Sequence, residues 1–118
     1  MKILMILILK MKGLIMSKLN VVNDVTFDQE VLKNNQPVLV DFSATWCQPC
    51  KQLTPILEKI ADENKEIKFV KVDVDDCPET SAKFKIRSVP TMILFKNGVA
   101  VKTIVGLVSV KEIKTFLG

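Results

Sequence analysis

Cys47 and Cys50, in the stretch Trp46-Cys47-Gln48-Pro49-Cys50-Lys51, lie three residues apart where an apolar run hands over to a helical pattern. On one helical turn this spacing brings the two Cβ atoms to about 5–6 Å, close enough for a bridge after a small adjustment. The start of a helix also presents unpaired backbone N–H groups, and Cys47 falls at that start. A free thiol is only about 3% thiolate at pH 7. About 2 kcal/mol of favourable interaction with a helix N-terminus lowers a thiol pKa by about 1.5 units, enough to make the thiolate about half the population. Attack on a disulfide works best in that range. Cys50, one turn deeper, lacks the benefit and suits a later, resolving step. Asp41 is the only ionisable group in the preceding apolar run, Pro37-Val38-Leu39-Val40-Asp41-Phe42. An isolated buried carboxylate has a raised pKa and is fit to take a proton from Cys50 through a water. The alternative for Asp41 is a structural carboxylate paired at a strand end.

Composition removes several other chemistries. The 118 residues contain no histidine, which excludes Ser-His-Asp triads, Cys-His dyads and His-ligated metal sites. Three cysteines cannot supply a Cys₄ cluster from one chain, and their odd number argues against a secreted disulfide framework. Lys2, Lys10 and Lys12, with no acid among them, carry three of the four net positive charges within the first sixteen residues. The rest is nearly neutral, so no basic face is implied and no nucleic-acid partner is expected.

The elements that must position these residues read as alternating strands and helices. Leu19 to Val22 is a short strand. Thr26-Phe27-Asp28-Gln29 has the form of a capping box opening a helix that fades by Asn34-Asn35. The run around Asp41 is apolar on consecutive positions, as in a strand covered on both faces. From about Gln48 to Asn64, Leu53, Ile56, Leu57, Ile60 and Ala61 form one helical face, with a kink expected at Pro55. Ile67 to Val74 is a third strand, Pro78 opens a short helix to about Phe84, and Thr91 to Phe95 is a fourth strand. Asn97-Gly98 signals a two-residue hairpin into a fifth, Val99 to Val105. Ser109-Val110-Lys111-Glu112 is a second capping box before a last amphipathic helix. The order β-α-β-α-β-α-β-β-α predicts an α/β domain: a mixed five-stranded sheet with helices on both faces.

Residues 1–16 stand apart. Ile3 to Leu9 is an unbroken apolar run, far short of the roughly 20 residues that cross a bilayer as a helix. It is minimal for a signal peptide and has no small-residue cleavage site after it. The segment reads as an N-terminal extension whose start is set too early, with Met16 as the native start and the domain over 17–118. An uncleaved membrane anchor or an export signal is the alternative.

Val-Asp-Phe, Trp-Cys-x-Pro-Cys-Lys, Val-Pro-Thr, Phe-Lys-Asn-Gly and Val-Gly follow one another in an order and spacing that closely resemble the thioredoxin family, over about residues 19–117. The resemblance implies the thioredoxin fold and a protein-disulfide reductase with no bound cofactor. Cys47 would be the nucleophile, Cys50 the resolving thiol, and the two would form the redox disulfide. Asp41 would match the family's buried proton acceptor, and Lys71 the lysine that faces and tunes it. The Val89–Pro90 bond would be cis, leaving Val89's backbone free to pair with an extended substrate. Trp46, Val89, Pro90 and Gly106 would form a flat apolar docking rim. A thioredoxin reductase would recycle the pair, and disulfide-bearing enzymes such as ribonucleotide reductase, peroxiredoxin and methionine sulfoxide reductase would be substrates. The expected form is a cytoplasmic monomer that meets a membrane only if residues 1–16 are an anchor.

Two positions depart from the family pattern. Gln48 replaces the usual Gly beside Pro49, where the dipeptide tunes redox potential, and Ser43 stands where an aromatic is common. Cys77 is extra; it reads as an ordinary loop cysteine, with a regulatory thiol as the alternative. The acidic run Asp73-Val74-Asp75-Asp76 fails as a calcium loop, because Pro78 and Phe84 would occupy the required Gly and Glu. Other readings of Cys47 and Cys50 are a metal shared between two chains, a tethered or exported reductase of envelope disulfides, and a scaffold that binds without turnover.

Overall fold

Strand β2 (Val38–Ser43) is buried along its whole length and lies at the centre of the computed structural model, which describes residues 19–118. The expected extension over 1–16 and the first two residues of the expected domain lie outside the described residues. On one side β2 pairs in parallel with β3 (Lys68–Asp73), which pairs in parallel with β1 (Asn20–Val22). On the other it pairs antiparallel with β4 (Thr91–Lys96), which turns through Asn97-Gly98 into antiparallel β5 (Val99–Val105). The sheet order is β1-β3-β2-β4-β5, the mixed five-stranded arrangement expected. Both hairpin residues have positive φ, 51° at Asn97 and 78° at Gly98, as a tight two-residue turn requires. A Cβ on Gly98 would also lie 2.5 Å from the Leu32 carbonyl oxygen, so the backbone approach itself demands glycine.

Alternation along the strands sorts the core into two layers. Val38, Val40 and Phe42 of β2 pack with Val70, Val72, Ile93 and Phe95 under the first and third helices, α1 (Asp28–Leu32) and α3 (Pro78–Lys83). Phe27, Phe84 and Phe95 meet there edge-on or tilted, with ring centroids 5.2–5.8 Å apart. Leu39, Phe69, Met92 and Leu94 point the other way, against Leu53, Leu57 and Ile60 of α2 (Gln48–Glu63) and Ile113 of α4 (Val110–Leu117). Helices thus cover both faces. Asp41, Lys71 and Asp73 occupy alternate positions that face α2. The predicted helical face of α2 is the one buried, and the helix continues through Pro55.

The first capping box differs from expectation. Thr26 is not the cap of α1, whose N-cap position is Phe27 with no side-chain cap bond; Asn23 and Thr26 instead close the turn before the helix. The Asn23 side-chain oxygen accepts from the Val25 and Thr26 amides, each at 2.9 Å, and the Thr26 hydroxyl returns a bond from the Asn23 N–H. Both residues are good cap formers, and the reciprocal pair forms one turn upstream of the predicted position. The helix is also wound wide, its Lys33 N–H reaching back five residues to Asp28. At α4 the expected box forms, with the Ser109 hydroxyl accepting from the Glu112 amide at 3.1 Å.

Candidate active site

The sequence brings Cys47 to the end of the β2–α2 connection, as the N-cap residue of α2. Its backbone is extended (φ −92°, ψ 112°), and Pro49 in the first turn forfeits no helical bond. In the usual cap a side-chain oxygen accepts a first-turn amide; here the Cys47 Sγ accepts the Cys50 N–H at 3.2 Å. No acid lies in the first turn of α2 itself. Cys47 and Cys50 are joined as a disulfide with Cα atoms 5.3 Å apart. Both residues are buried, Cys47 the less completely, at 5% exposure against 1% for Cys50.

The carbonyl oxygen of Val89 lies 3.7 Å from the Cys47 Sγ, across the short loop before β4. The Val89–Pro90 peptide bond is cis. Gly106, at a φ of 95° that suits only glycine, donates its N–H to the Pro90 carbonyl at 2.8 Å and so fixes the end of β5 against this loop. Trp46 is 66% exposed and so is not part of the core. Its indole N–H donates to Asp75 at 2.8 Å, holding the ring beside a shallow cavity of about 120 Å³ lined by Trp46, Val74, Ile86, Arg87, Ser88 and Val89. Gln48 is exposed beside Pro49, and Ser43 is buried at the end of β2.

Asp41 lies on the sheet face beneath α2, flanked in register by Lys71 on β3 and Met92 on β4. It is 1% exposed, and neither carboxylate oxygen has a hydrogen-bond partner among the described residues. Burial pushes its pKa from 3.8 up to about 7, with the positive charge of Lys71 opposing the rise. No pairing of the carboxylate at the strand end is present among the described residues. Lys71 instead donates to the Thr54 hydroxyl at 3.3 Å, and that hydroxyl donates to the Cys50 carbonyl at 3.1 Å.

Cys77 lies in the loop before α3, at its N-cap position, 1% exposed and unoxidised. Burial, then the negative charges of Asp24, Asp76 and Asp73, push its thiol up. Three contributors escaped the sequence reading. Asp24 takes the Glu79 and Thr80 amides at 3.2 and 2.9 Å, supplying the cap that Cys77 does not. Asp75 holds Trp46, and Thr54 holds Lys71. The acidic run gave a signal for Asp75, but its role needs a tryptophan 29 residues away. Within that run Asp73 closes its own turn, accepting from the Asp75 amide at 2.8 Å.

A family model described as "Thioredoxin" matches residues 18–118. A thioredoxin of Rickettsia bellii is 52% identical over 87 residues, 73% of this chain and 83% of that protein. A thioredoxin of Mycobacterium tuberculosis is 54% identical over 72% of this chain and 74% of its own length. A "Bifunctional thioredoxin reductase/thioredoxin" of Mycobacterium leprae is 52% identical over 72% of this chain, a stretch that makes up 19% of that larger protein.

Proposed function

The chain belongs to the thioredoxin family and is a thiol–disulfide oxidoreductase, and from that premise we propose how its residues divide the reaction. Reduced Cys47, as thiolate, attacks one sulfur of a protein disulfide; the other substrate sulfur leaves as a thiolate and takes up a proton. Cys50 then gives its proton, through a water, to Asp41 and attacks the Cys47 sulfur of the mixed disulfide. The second substrate sulfur leaves as a thiolate and is protonated in turn. Two electrons have passed to the substrate, and Cys47 and Cys50 are left bridged. The observation that carries this reading is the position of the Cys47 sulfur, between the Cys50 amide at 3.2 Å and the Val89 carbonyl at 3.7 Å.

Asp41 suits the role of proton acceptor because it is buried and unpartnered, with a pKa near the operating pH. Lys71 tempers that pKa. Trp46, Val89, Pro90 and Gly106 form the docking rim, and Gln48 and Pro49 the dipeptide that sets the potential. Val89's backbone makes no hydrogen bond to another backbone group among the described residues, so an extended substrate can pair with it as an added strand.

A thioredoxin reductase returns the pair to the dithiol, a partnership in keeping with the fused relative of Mycobacterium leprae. Ribonucleotide reductase, peroxiredoxin and methionine sulfoxide reductase are the proposed substrates, and a cytoplasmic monomer the proposed form. A free cysteine, Cys77, in a chain that also carries a reducible pair suits a reducing compartment. Among the described residues no helix is long and apolar enough to cross a membrane.

Reduction of insulin by dithiothreitol, with and without the protein, tests the assignment. Wild type accelerates it, Cys47→Ser does not, and Cys50→Ser accumulates mixed disulfides visible on non-reducing gels. Normal turnover by Cys47→Ser would remove it as nucleophile, and absence of any trapped adduct would remove Cys50 as the resolving thiol. Asp41→Asn slows release of reduced substrate near neutral pH; an unchanged rate returns Asp41 to a structural role.

A further inference from the structure

Asp41 and Lys71 are side by side on adjacent strands, on the face that α2 covers, yet they do not pair. Both oxygens of Asp41 are without hydrogen-bond partners, and no ion pair joins the two residues among those described. The ammonium is held elsewhere. Its Nζ donates to Thr54 Oγ1 at 3.3 Å, while that hydroxyl gives its own proton to the Cys50 carbonyl at 3.1 Å. A hydroxyl has one proton and two lone pairs, so both bonds coexist. Back-bonding to a carbonyl four residues earlier is a familiar habit of threonine in a helix, and here it points the free lone pairs toward the sheet. Thr54 is half-buried, one turn after Cys50.

The physical consequence turns on where the positive charge stops. An ammonium in direct contact with a buried carboxylate locks it in the ionised form and occupies the oxygens that would receive a proton. An ammonium restrained outside bonding range still lends its field but leaves those oxygens open. Lys71 opposes the rise in the pKa of Asp41 without bonding to it, which is the second case.

We propose that Thr54 is a positioning residue for the proton-transfer step: its hydroxyl holds the Lys71 ammonium on the Cys50 turn and off the Asp41 carboxylate. Both carboxylate oxygens thereby stay available to the Cys50 proton. The proposal rests on the reading of Asp41 as proton acceptor.

Thr54→Val removes the hydroxyl at nearly constant shape, and Thr54→Ser keeps it. The measurements are the titration of the Asp41 carboxyl carbon by NMR in the reduced protein, and the pH–rate profile of thiol release from a Cys47 mixed disulfide. In Thr54→Val, Lys71 closes on Asp41 and the midpoint falls by about one pH unit, with the rate profile following it. Thr54→Ser retains the wild-type midpoint. In a Lys71→Met background, Thr54→Val moves nothing. An unmoved or raised midpoint in Thr54→Val overturns the proposal, as does the same shift with Lys71 already removed. Asp41→Asn keeps the two ideas separable: wild-type release in that variant defeats the proton-acceptor reading, while the NMR midpoints still decide whether Thr54 positions Lys71.

Discussion

Two helices in this molecule begin with a cysteine and carry a proline in the first turn, and they have opposite chemistry. Cys47 opens α2 and Cys77 opens α3; both are buried N-cap residues. At α2 the sulfur itself accepts a first-turn amide, and no acid lies in that turn. At α3 the amides of Glu79 and Thr80 go to Asp24, and the Cys77 sulfur lies 3.7 Å from the Val22 carbonyl oxygen. Burial and surrounding carboxylates then keep Cys77 a thiol. A cysteine at a helix start is therefore not reactive by position alone. It becomes so when its sulfur, rather than a carboxylate, receives the field of the helix end.

Each cysteine also has a carboxylate of its own, and these differ in the same sense. Asp41, beside Lys71 on the sheet face that α2 covers, is buried and without a partner among the described residues, and burial raises its pKa to about 7. Asp24, near Cys77, is bonded by the Thr80 hydroxyl and two amides, which hold its pKa below the ordinary carboxylate value. The first is a buried carboxylate without a partner among the described residues; the second is a cap.

The comparison can be broken most directly by exchanging the cysteines' fates. Cys47→Ser is expected to cut insulin reduction by about a thousandfold or more, and Cys77→Ser to leave it within about twofold. A comparable loss from Cys77→Ser would end the distinction. Next in size is the stability of Asp41→Asn. Because the folded-state pKa of Asp41 is raised, wild-type stability falls as pH rises from about 4 toward about 7, where the buried group is forced to ionise. Its removal should stabilise the protein by up to about 4 kcal/mol at pH 8, with the gain disappearing near pH 4. Denaturant unfolding at the two pH values measures it, and a gain independent of pH would place the cost elsewhere than in ionisation.

Alkylation of the fully reduced protein by iodoacetamide at pH 7 should modify Cys47 at least about tenfold faster than Cys77, followed by peptide mass. Equal rates would show that Cys77 is no less poised. The smallest expected effect sharpens the same contrast. Asp24→Ala should lower Tm at neutral pH and hasten labelling of Cys77. Asp24's folded-state pKa is lowered, so its stabilisation is present above the ordinary carboxylate pKa and lost as pH falls through the folded value. The Tm difference between the variants should accordingly close in acid.

Features governed by neighbours in sequence were legible in advance. The apolar stripe of α2, the Asn97-Gly98 turn and the Ser109 cap each depend on residues within a turn or two, and each formed as expected. The first cap departs from expectation for a local reason as well: Asn23 and Thr26 are both competent caps, and their reciprocal bonding closes a turn of its own before α1. The site was less legible wherever a partner came from afar. Asp24 reaches Thr80 across 56 residues, and Trp46 reaches Asp75 across 29. Nothing in the sequence singles out Thr54, and only the approach of β3 to α2 gives its hydroxyl the Lys71 ammonium.

By itself the sequence determined the redox pair, its place at a helix start, the order of strands and helices, and the isolation of Asp41 in an apolar strand. These follow from spacing and periodicity, which a chain carries without being folded. Which cysteine's sulfur meets the first-turn amide of its helix, whether Asp41 finds a partner, and where the charge of Lys71 comes to rest were decided by the tertiary structure. Desolvation and charge act through space, and the groups that exert them on each site are brought together only when the sheet and its two helical layers close.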